Sequence, residues 1–256
     1  MALYSKPVRI LLKEMADEMV GTGDSVFTKR DAISWFARKY PKVKAGTISA
    51  HLIRMSTNAK SRVHYHAKVG EDDAFYQIDG SHYRRYRPGQ DPAPVYDGKL
   101  VDGAAQPVDV EDDDEAPAAP ASDAEFAYES DLRDYLAKNL HKIETGLRLY
   151  EEEGINGIEF PVGGRFIDIL AVDHAGGLVV VELKVSRGYD RVVGQLMRYV
   201  AWVKKNLADP HQKVRGVIIA REISDDLILA CSLVPSVELF EYEMSLSLKR
   251  MKESRA

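Results

Sequence analysis

One cysteine in 256 residues leaves nothing for an intramolecular disulfide to join, which removes the disulfide-stapled secreted scaffolds. No stretch approaches the ~18 consecutive apolar residues of a membrane-crossing helix. The amino terminus lacks the apolar block and small-residue site of a secretory signal, so a cytoplasmic chain without membrane attachment is the expectation. Acidic residues are missing altogether between Ala32 and Gly70, where eight lysines and arginines lie. An apolar fraction of 45% excludes collagen-like and wholly disordered classes, and the length is enough for two modest domains. No internal repeat is evident.

The net charge of -5 is unevenly spread. Residues 1–87 carry 16 Lys and Arg against 9 acids, a net +7, whereas residues 88–125 carry Lys99 alone against 11 acids, a net -10. A basic face is the electrostatic footprint of nucleic-acid binding, since phosphate contacts release counterions. A merely solvated surface accounts for the charge equally well. Residues 88–125 also hold six of the 11 prolines and the run Glu111-Asp112-Asp113-Asp114-Glu115, with Leu100 their one large aliphatic residue. Such a segment buries too little apolar area to offset ordering entropy and reads as a disordered linker. Its acidic run could also mimic phosphates and compete for the basic domain.

Residues 1–87 are predicted to form a small α+β domain of winged-helix type. Apolar residues Val8, Leu11, Leu12, Met15 and Met19 have helical spacing, and Gly21-Thr22-Gly23 ends that helix. Thr28 and Asp31 make a variant capping box for a helix over 29–40 with core face Ile33, Phe36 and Ala37. A third helix spans about 45–57, followed by strand-like segments 62–69 and 74–78 joined by Glu71-Asp72-Asp73. In that arrangement the third helix enters the major groove. Lys42, Lys44, Thr47, Ser49, His51, Arg54 and Asn58 are then the candidate DNA contacts, with Arg84, Arg85 and Arg87 as phosphate contacts after the wing. A winged helix used for protein association fits the same pattern. His64 and His66 alternate on an expected strand and could share a metal. Without a nearby Cys or a carboxylate on that strand, surface histidines are the plainer reading.

Residues 126–256 carry the chemistry. A helix over 130–140 presents Leu132, Tyr135, Leu136 and Leu140, with Glu129 at its start. Strands follow at 165–172 and 178–185. The second is almost continuously apolar, as expected of a strand covered on both faces, yet Glu182 and Lys184 are set into it on one face. Desolvating two charges costs several kcal/mol unless they are paired or bound to a cation. Asp168 lies where a hairpin can bring it beside Glu182. Two carboxylates so placed call for an oxygen-ligated divalent cation, Mg2+ or Mn2+, with Lys184 facing the same site. A buried ion pair is the structural alternative. Further on, 214–220 reads as a strand, 225–232 as a helix and 237–242 as a last strand. Cys231 and Trp202 read as packing residues.

Asp168 followed by Glu182-Leu183-Lys184 resembles the PD-(D/E)XK nuclease superfamily. The helix 190–199, with Gln195 and Tyr199 four apart, is similar to the Gln-x-x-x-Tyr helix of its NucS (EndoMS) branch, DNA endonucleases of archaea and actinobacteria. Ile167 stands where the superfamily motif usually has Pro. The resemblance covers roughly 127–248. It implies a mixed sheet flanked by helices, metal held by Asp168, Glu182 and the Leu183 carbonyl, Lys184 as catalytic lysine, and Gln195, Tyr199 and Glu129 as supporting residues. The amino-terminal half resembles nothing in the NucS DNA-binding domain, and no sliding-clamp motif is seen near the end. Together these features predict an α/β, restriction-endonuclease-like domain with a separate winged helix. The activity expected is a Mg2+-dependent endonuclease on double-stranded DNA, of restriction or defence type, with the winged helix choosing the site. Cutting both strands needs two active sites or two sequential events, which makes a homodimer the natural assembly. A NucS-like mismatch or repair endonuclease, a non-catalytic DNA-binding regulator and an RNA or single-strand nuclease are the alternatives.

Overall fold

A computed structural model describes residues 4–21, 25–96, 123–184 and 191–243, with side chains in the first helical turns after residue 122 described from Glu129 onward. Among the described residues no helix is long and apolar enough to cross a membrane.

The amino-terminal module begins with α1 (Val8–Met19), which buries Val8, Leu11, Leu12, Met15 and Ala16 along one stripe. After β1 (Phe27–Thr28), the capping box opens α2 (Lys29–Lys39): Thr28 Oγ1 accepts from the Asp31 amide at 3.1 Å, and Asp31 Oδ2 accepts from the Thr28 amide at 2.8 Å. The buried face of α2 is Ala32, Trp35 and Phe36, rotated from the expected one. Trp35 turns inward because its indole N–H donates to Glu18 on α1 at 3.0 Å, and Ala37 is exposed. α3 (Ala45–Arg54) completes the three helices. A hairpin, β2 (Phe75–Gln77) and β3 (His82–Arg85), joins β1 in an antiparallel sheet of order β1-β3-β2.

The hairpin therefore lies later in the chain than the sequence suggested. Residues 62–69 are not a strand: Lys60–Tyr65 form a 3-10 turn that ends at His66 with φ of 45°. The reason lies in Arg62 and Tyr65, both fully buried, which a strand would send to opposite faces but a three-residue turn places on one. Arg62 donates to the Arg54 carbonyl at 2.8 Å and pairs with Asp73. Nor does the expected linker begin at Pro88. Asp91 pairs with Arg84, and the Val95 amide donates to the Thr57 carbonyl at 2.8 Å with Val95 buried. The acidic run lies outside the described residues.

The second module is α/β. α4 (Asp123–Lys138) buries Leu132 and Leu136 and leaves Tyr135 exposed. Four short strands follow for which no sequence expectation existed: β4 (Arg148–Leu149), β5 (Glu151–Glu152), β6 (Ile155–Asn156) and β7 (Ile158–Val162). Then come β8 (Arg165–Val172), β9 (Leu178–Lys184), α5 (Val192–Asn206), β10 (Val214–Ala220), α6 (Asp225–Ser232) and β11 (Val237–Glu241). The main sheet has the order β11-β10-β9-β8-β4, with β7 also on β8. β9, β10 and β11 run parallel, and β8 is antiparallel to β9. β9 is buried on both faces: Val179, Val181 and Leu183 pack with Leu132 and Leu136 of α4, whereas Leu178 and Val180 pack with Leu196, Tyr199 and Val203 of α5. Cys231 sits in that second cluster as a packing residue.

The two modules share that core. Ala50 and Ile53 of α3, with Ala59 and Tyr65, pack into the cluster of Ile155, Phe160, Leu170 and Leu196. Three glutamates of the unanticipated segment line the seam. Glu152 accepts from Thr47 Oγ1 at 2.6 Å, Glu153 accepts from the Val8 amide at 2.8 Å, and Glu159 accepts from Ser61 Oγ at 2.5 Å. Glu153 and Glu159 hold left-handed φ values of 49° and 46°, which non-glycine residues adopt only where surroundings compensate. Gly154, at φ of 80°, lets the Arg54 guanidinium approach so closely that a Cβ there would meet Nη1 at 2.5 Å.

A shared core makes the modules one cooperative unit. Ile53→Ala is expected to cost about 2–5 kcal/mol and to lower a single denaturation transition seen by both near-ultraviolet signals and calorimetry. Two transitions, with only the first one shifted, would show modules that fold independently.

Candidate active site

β8 has partners on both edges, and neither the β7 nor the β9 ladder runs its full length. From Ile169 to Val172 it is laddered to β9, and from Arg165 to Ile169 to β7. The strands β8 and β9 thus part just before Ile169, where Asp168 stands. Its Oδ2 accepts the Leu183 amide at 2.8 Å, so a side chain takes over from the ladder at the fork. Glu182 is drawn inward with its apolar neighbours and is only 2% exposed. Glu182 Oε1 lies 3.2 Å from Lys184 Nζ, while the buried Oε2 has no hydrogen-bond partner among the described residues. On α5 the expected pairing holds: Gln195 Nε2 donates to the Tyr199 hydroxyl at 3.0 Å.

Burial disfavours the ionised forms of Asp168 and Glu182 and raises both pKa values, with repulsion from Asp168 adding to the effect on Glu182 and repulsion from Glu129 to that on Asp168. Burial acts on Lys184 in the other direction, but Glu182, Glu129 and Asp168 together outweigh it and hold the ammonium charged. Glu129 is raised by burial against the pull of Lys184 and Arg133, and Tyr199 by burial and the Glu182 carboxylate. Asp168, Glu182, Lys184, Glu129 and Tyr199 thus form one electrostatic group, bordered by Gln195. Two desolvated carboxylates with an orphaned oxygen are a donor set suited to a hard divalent cation. Among the described residues no cluster of three or more His, Cys, Asp or Glu stands in ligating arrangement, so two carboxylates would need backbone, water or substrate oxygens to complete a shell. His64 faces Glu159 at 3.6 Å, and with His66 ending the 3-10 turn the shared-strand argument for a metal between them lapses.

The residues expected to contact DNA are scattered. Thr47, Ser49, His51 and Arg54 are buried, because the outer face of α3 packs on the second module. Arg54 donates to the Glu153 carbonyl at 3.2 Å and pairs with Asp72 at 3.0 Å, and burial pushes the His51 imidazole down to about 3. Lys44 is tied to the Leu207 carbonyl and Asp209, at 3.1 and 2.6 Å. Asn58 brackets the backbone of Gln77. Arg84 forks onto Asp91 over the Tyr76 ring, Arg85 binds Asp17 and the Gly21 carbonyl, and Arg87 is half-buried. Lys42 alone of the set is exposed. α3 is therefore an interdomain helix here, and the buried four are corrected from DNA contacts to structural residues.

A cleft of about 420 Å³ opens beside Asp168 and Glu129, between the modules. Its lining includes Lys29, Lys60, Arg133 and Arg165, none of which the sequence singled out. Arg133 could have been found, since it lies one helical turn from Glu129. It pairs with Glu159 at 2.6 Å. Lys29 and Lys60 could not, because nothing local shows that their module meets this one.

Residues 128–234 match the family described as Endonuclease NucS C-terminal domain, and residues 7–85 match a domain of unknown function, DUF7669. Among curated relatives, Endonuclease NucS of Pyrococcus furiosus is 31% identical over 98 residues, covering 38% of this chain and 33% of that protein. Endonuclease NucS 2 of Halobacterium salinarum is 34% identical over 101 residues, covering 40% and 36%. The match thus spans about a third of the length of each relative. A repair endonuclease from Pyrococcus abyssi is 25% identical over 50% of each chain with a TM-score of 0.37. An EndoMS–dsDNA complex is 25% identical over 53% of this chain and 51% of that one, at 0.36. The carboxyl-terminal module is thus similar to the NucS carboxyl-terminal domain over residues 128–234.

Two outcomes follow. A carboxyl raised in the folded state destabilises the fold as pH climbs from the unfolded value, about 4, through the folded one. In EDTA at pH 8, Glu182→Gln should therefore melt above wild type by at least about 2–4 °C, the gap shrinking toward pH 4. A lower melting point at pH 8 would mean that the ion pair to Lys184 dominates. Arg54→Ala, which leaves buried Asp72 only the Lys68 amide at 2.8 Å and Arg9 at 3.9 Å, should cost about 3–5 kcal/mol while leaving any DNA affinity of the folded protein unchanged in gel-shift titration.

Proposed function

We propose that the chain is a metal-dependent endonuclease that hydrolyses phosphodiester bonds in double-stranded DNA, of the NucS-like repair type. The observation that carries the reading is the convergence of Asp168, Glu182 and Lys184 at the fork of β8 and β9. The match of residues 128–234 to the NucS carboxyl-terminal domain supports it. The restriction or defence reading relied on α3 to choose the site, and the burial of α3 removes that support.

Asp168, Glu182 and the Leu183 carbonyl would hold Mg2+ or Mn2+. When bound, such an ion supplies Lewis-acid polarisation of the phosphate and a more acidic water. Lys184 keeps its proton through the surrounding carboxylates and offers positive charge to the phosphate oxygens as negative charge develops. The Leu183 amide fixes one oxygen of Asp168 and so orients the other. Tyr199, positioned by Gln195, closes the site against solvent from α5. Glu129, whose carboxyl pKa burial raises, borders the cleft and is placed to exchange a proton there. A homodimer would supply two such sites for the two strands.

The test is cleavage of plasmid DNA and of matched and mismatched duplex oligonucleotides with Mg2+, Mn2+ or EDTA. Asp168→Ala and Lys184→Ala should each lower the rate by about 10²-fold or more with affinity for DNA retained. Wild-type rates in both variants would refute this site, and the absence of cutting in every condition would favour the non-catalytic regulator.

A further inference from the structure

The cleft beside Asp168 has walls from both modules. On the nuclease side stand Glu129, Arg165 and Asp168, and on the other Lys29, Lys60 and Gln77. Lys29 is the first residue of α2 and is half-buried. It forms no ion pair with any described residue, and burial alone acts on its ammonium group, pressing the pKa down. A half-buried cation left unpaired is costly. It lines the cleft wall opposite Glu129 and Asp168 without pairing with either, which leaves its charge available to a phosphate on that wall. Lys60, exposed, opens the 3-10 turn. That turn is fixed to the nuclease module through Ser61 to Glu159 at 2.5 Å and the Tyr65 hydroxyl to the Glu159 carbonyl at 2.7 Å. Glu159 is bound in turn by Arg133 of α4, at 2.6 Å. The lysine-bearing wall is therefore held in place against the helix that carries Glu129.

At about 420 Å³ the cleft has the size of a site for a nucleotide-scale ligand and not for a whole duplex. Phe166, 39% exposed, lines it too and offers a flat apolar face of the kind on which bases stack.

We propose that Lys29 and Lys60 bind phosphates of the DNA strand being cut, so that the amino-terminal module serves as the second wall of the nuclease cleft instead of reading the duplex through α3. This rests on the endonuclease reading of the site. A strand threaded here would present its phosphates to two lysines on one side and to the Asp168–Glu182–Lys184 group on the other.

The experiment measures binding of the full chain to a fluorescent DNA duplex in EDTA across a salt series, for wild type, Lys29→Gln/Lys60→Gln, Lys29→Arg/Lys60→Arg and Lys204→Gln/Lys205→Gln. The last pair lies exposed on α5. For the first double variant the affinity should fall about tenfold or more, and the slope of log K against log salt should flatten by about one per lysine. The arginine variant should restore both, and the α5 variant should match wild type. Equal affinity and slope in wild type and the first double variant would overturn the lysine wall while leaving the endonuclease reading intact. Equal weakening in the α5 variant would reduce the effect to general charge and overturn it likewise. A wild type that binds no DNA would overturn the endonuclease reading and this inference together.

Discussion

A buried carboxylate, Glu182, and a half-buried one, Asp168, meet where β8 parts from β9, and the rest of the site answers to that fact. A strand covered on both faces has no reason of stability to carry Glu182, and its Oε2 finds no partner among the described residues. Asp168 adds a second desolvated acid, held by the Leu183 amide. Lys184 offsets part of the repulsion, since its Nζ is 3.2 Å from Glu182. Burial first, and the repulsion that remains, raise both pKa values. Such an arrangement is a standing cost that a bound cation would remove.

The amino-terminal module matters to this site because it is packed on it. α3 spends both faces on packing: Ile48 and Leu52 enter its own core, while Ala50 and Ile53 enter the core of the second module. A helix so employed has no face to offer a groove. What the module does offer is the edge beyond α3, where Lys29, Lys60 and the hairpin turn border the cleft. The seam is held by Glu152, Glu153 and Glu159, two of them in strained backbone, which marks the junction as a tightly specified part of the structure.

Much of this was legible in the sequence, and the failures have a common cause. Strands β8, β9 and β10 and helix α6 follow from periodicity and turn residues alone, and the Thr28–Asp31 box is local chemistry that formed as expected. The acid-acid-lysine set could be read because charges in an apolar strand are conspicuous. Gln195 and Tyr199 were legible as a helical pair. By contrast, Thr47, Ser49, His51 and Arg54 look like a polar outer face until the partner surface is known, because a buried polar interface and a DNA-reading face have the same composition. Arg62 and Tyr65 read as strand residues because their burial depends on Arg54, Asp73 and Glu159, all distant or beyond a turn. The short strands of 148–162 have too few residues for any period to emerge, and Lys29 owes its place in the cleft to tertiary packing alone.

The claim on which the account rests is that the Asp168–Glu182 pair is a divalent-cation site, and calorimetric titration of Mn2+ into the full-length protein in buffers of differing ionisation enthalpy tests it most directly. The account predicts saturable binding that releases protons, tightens as pH rises because the ion displaces protons from carboxyls of raised pKa, and disappears in Asp168→Asn. Absence of binding, or binding unchanged in that variant and accompanied by no proton release, would contradict it.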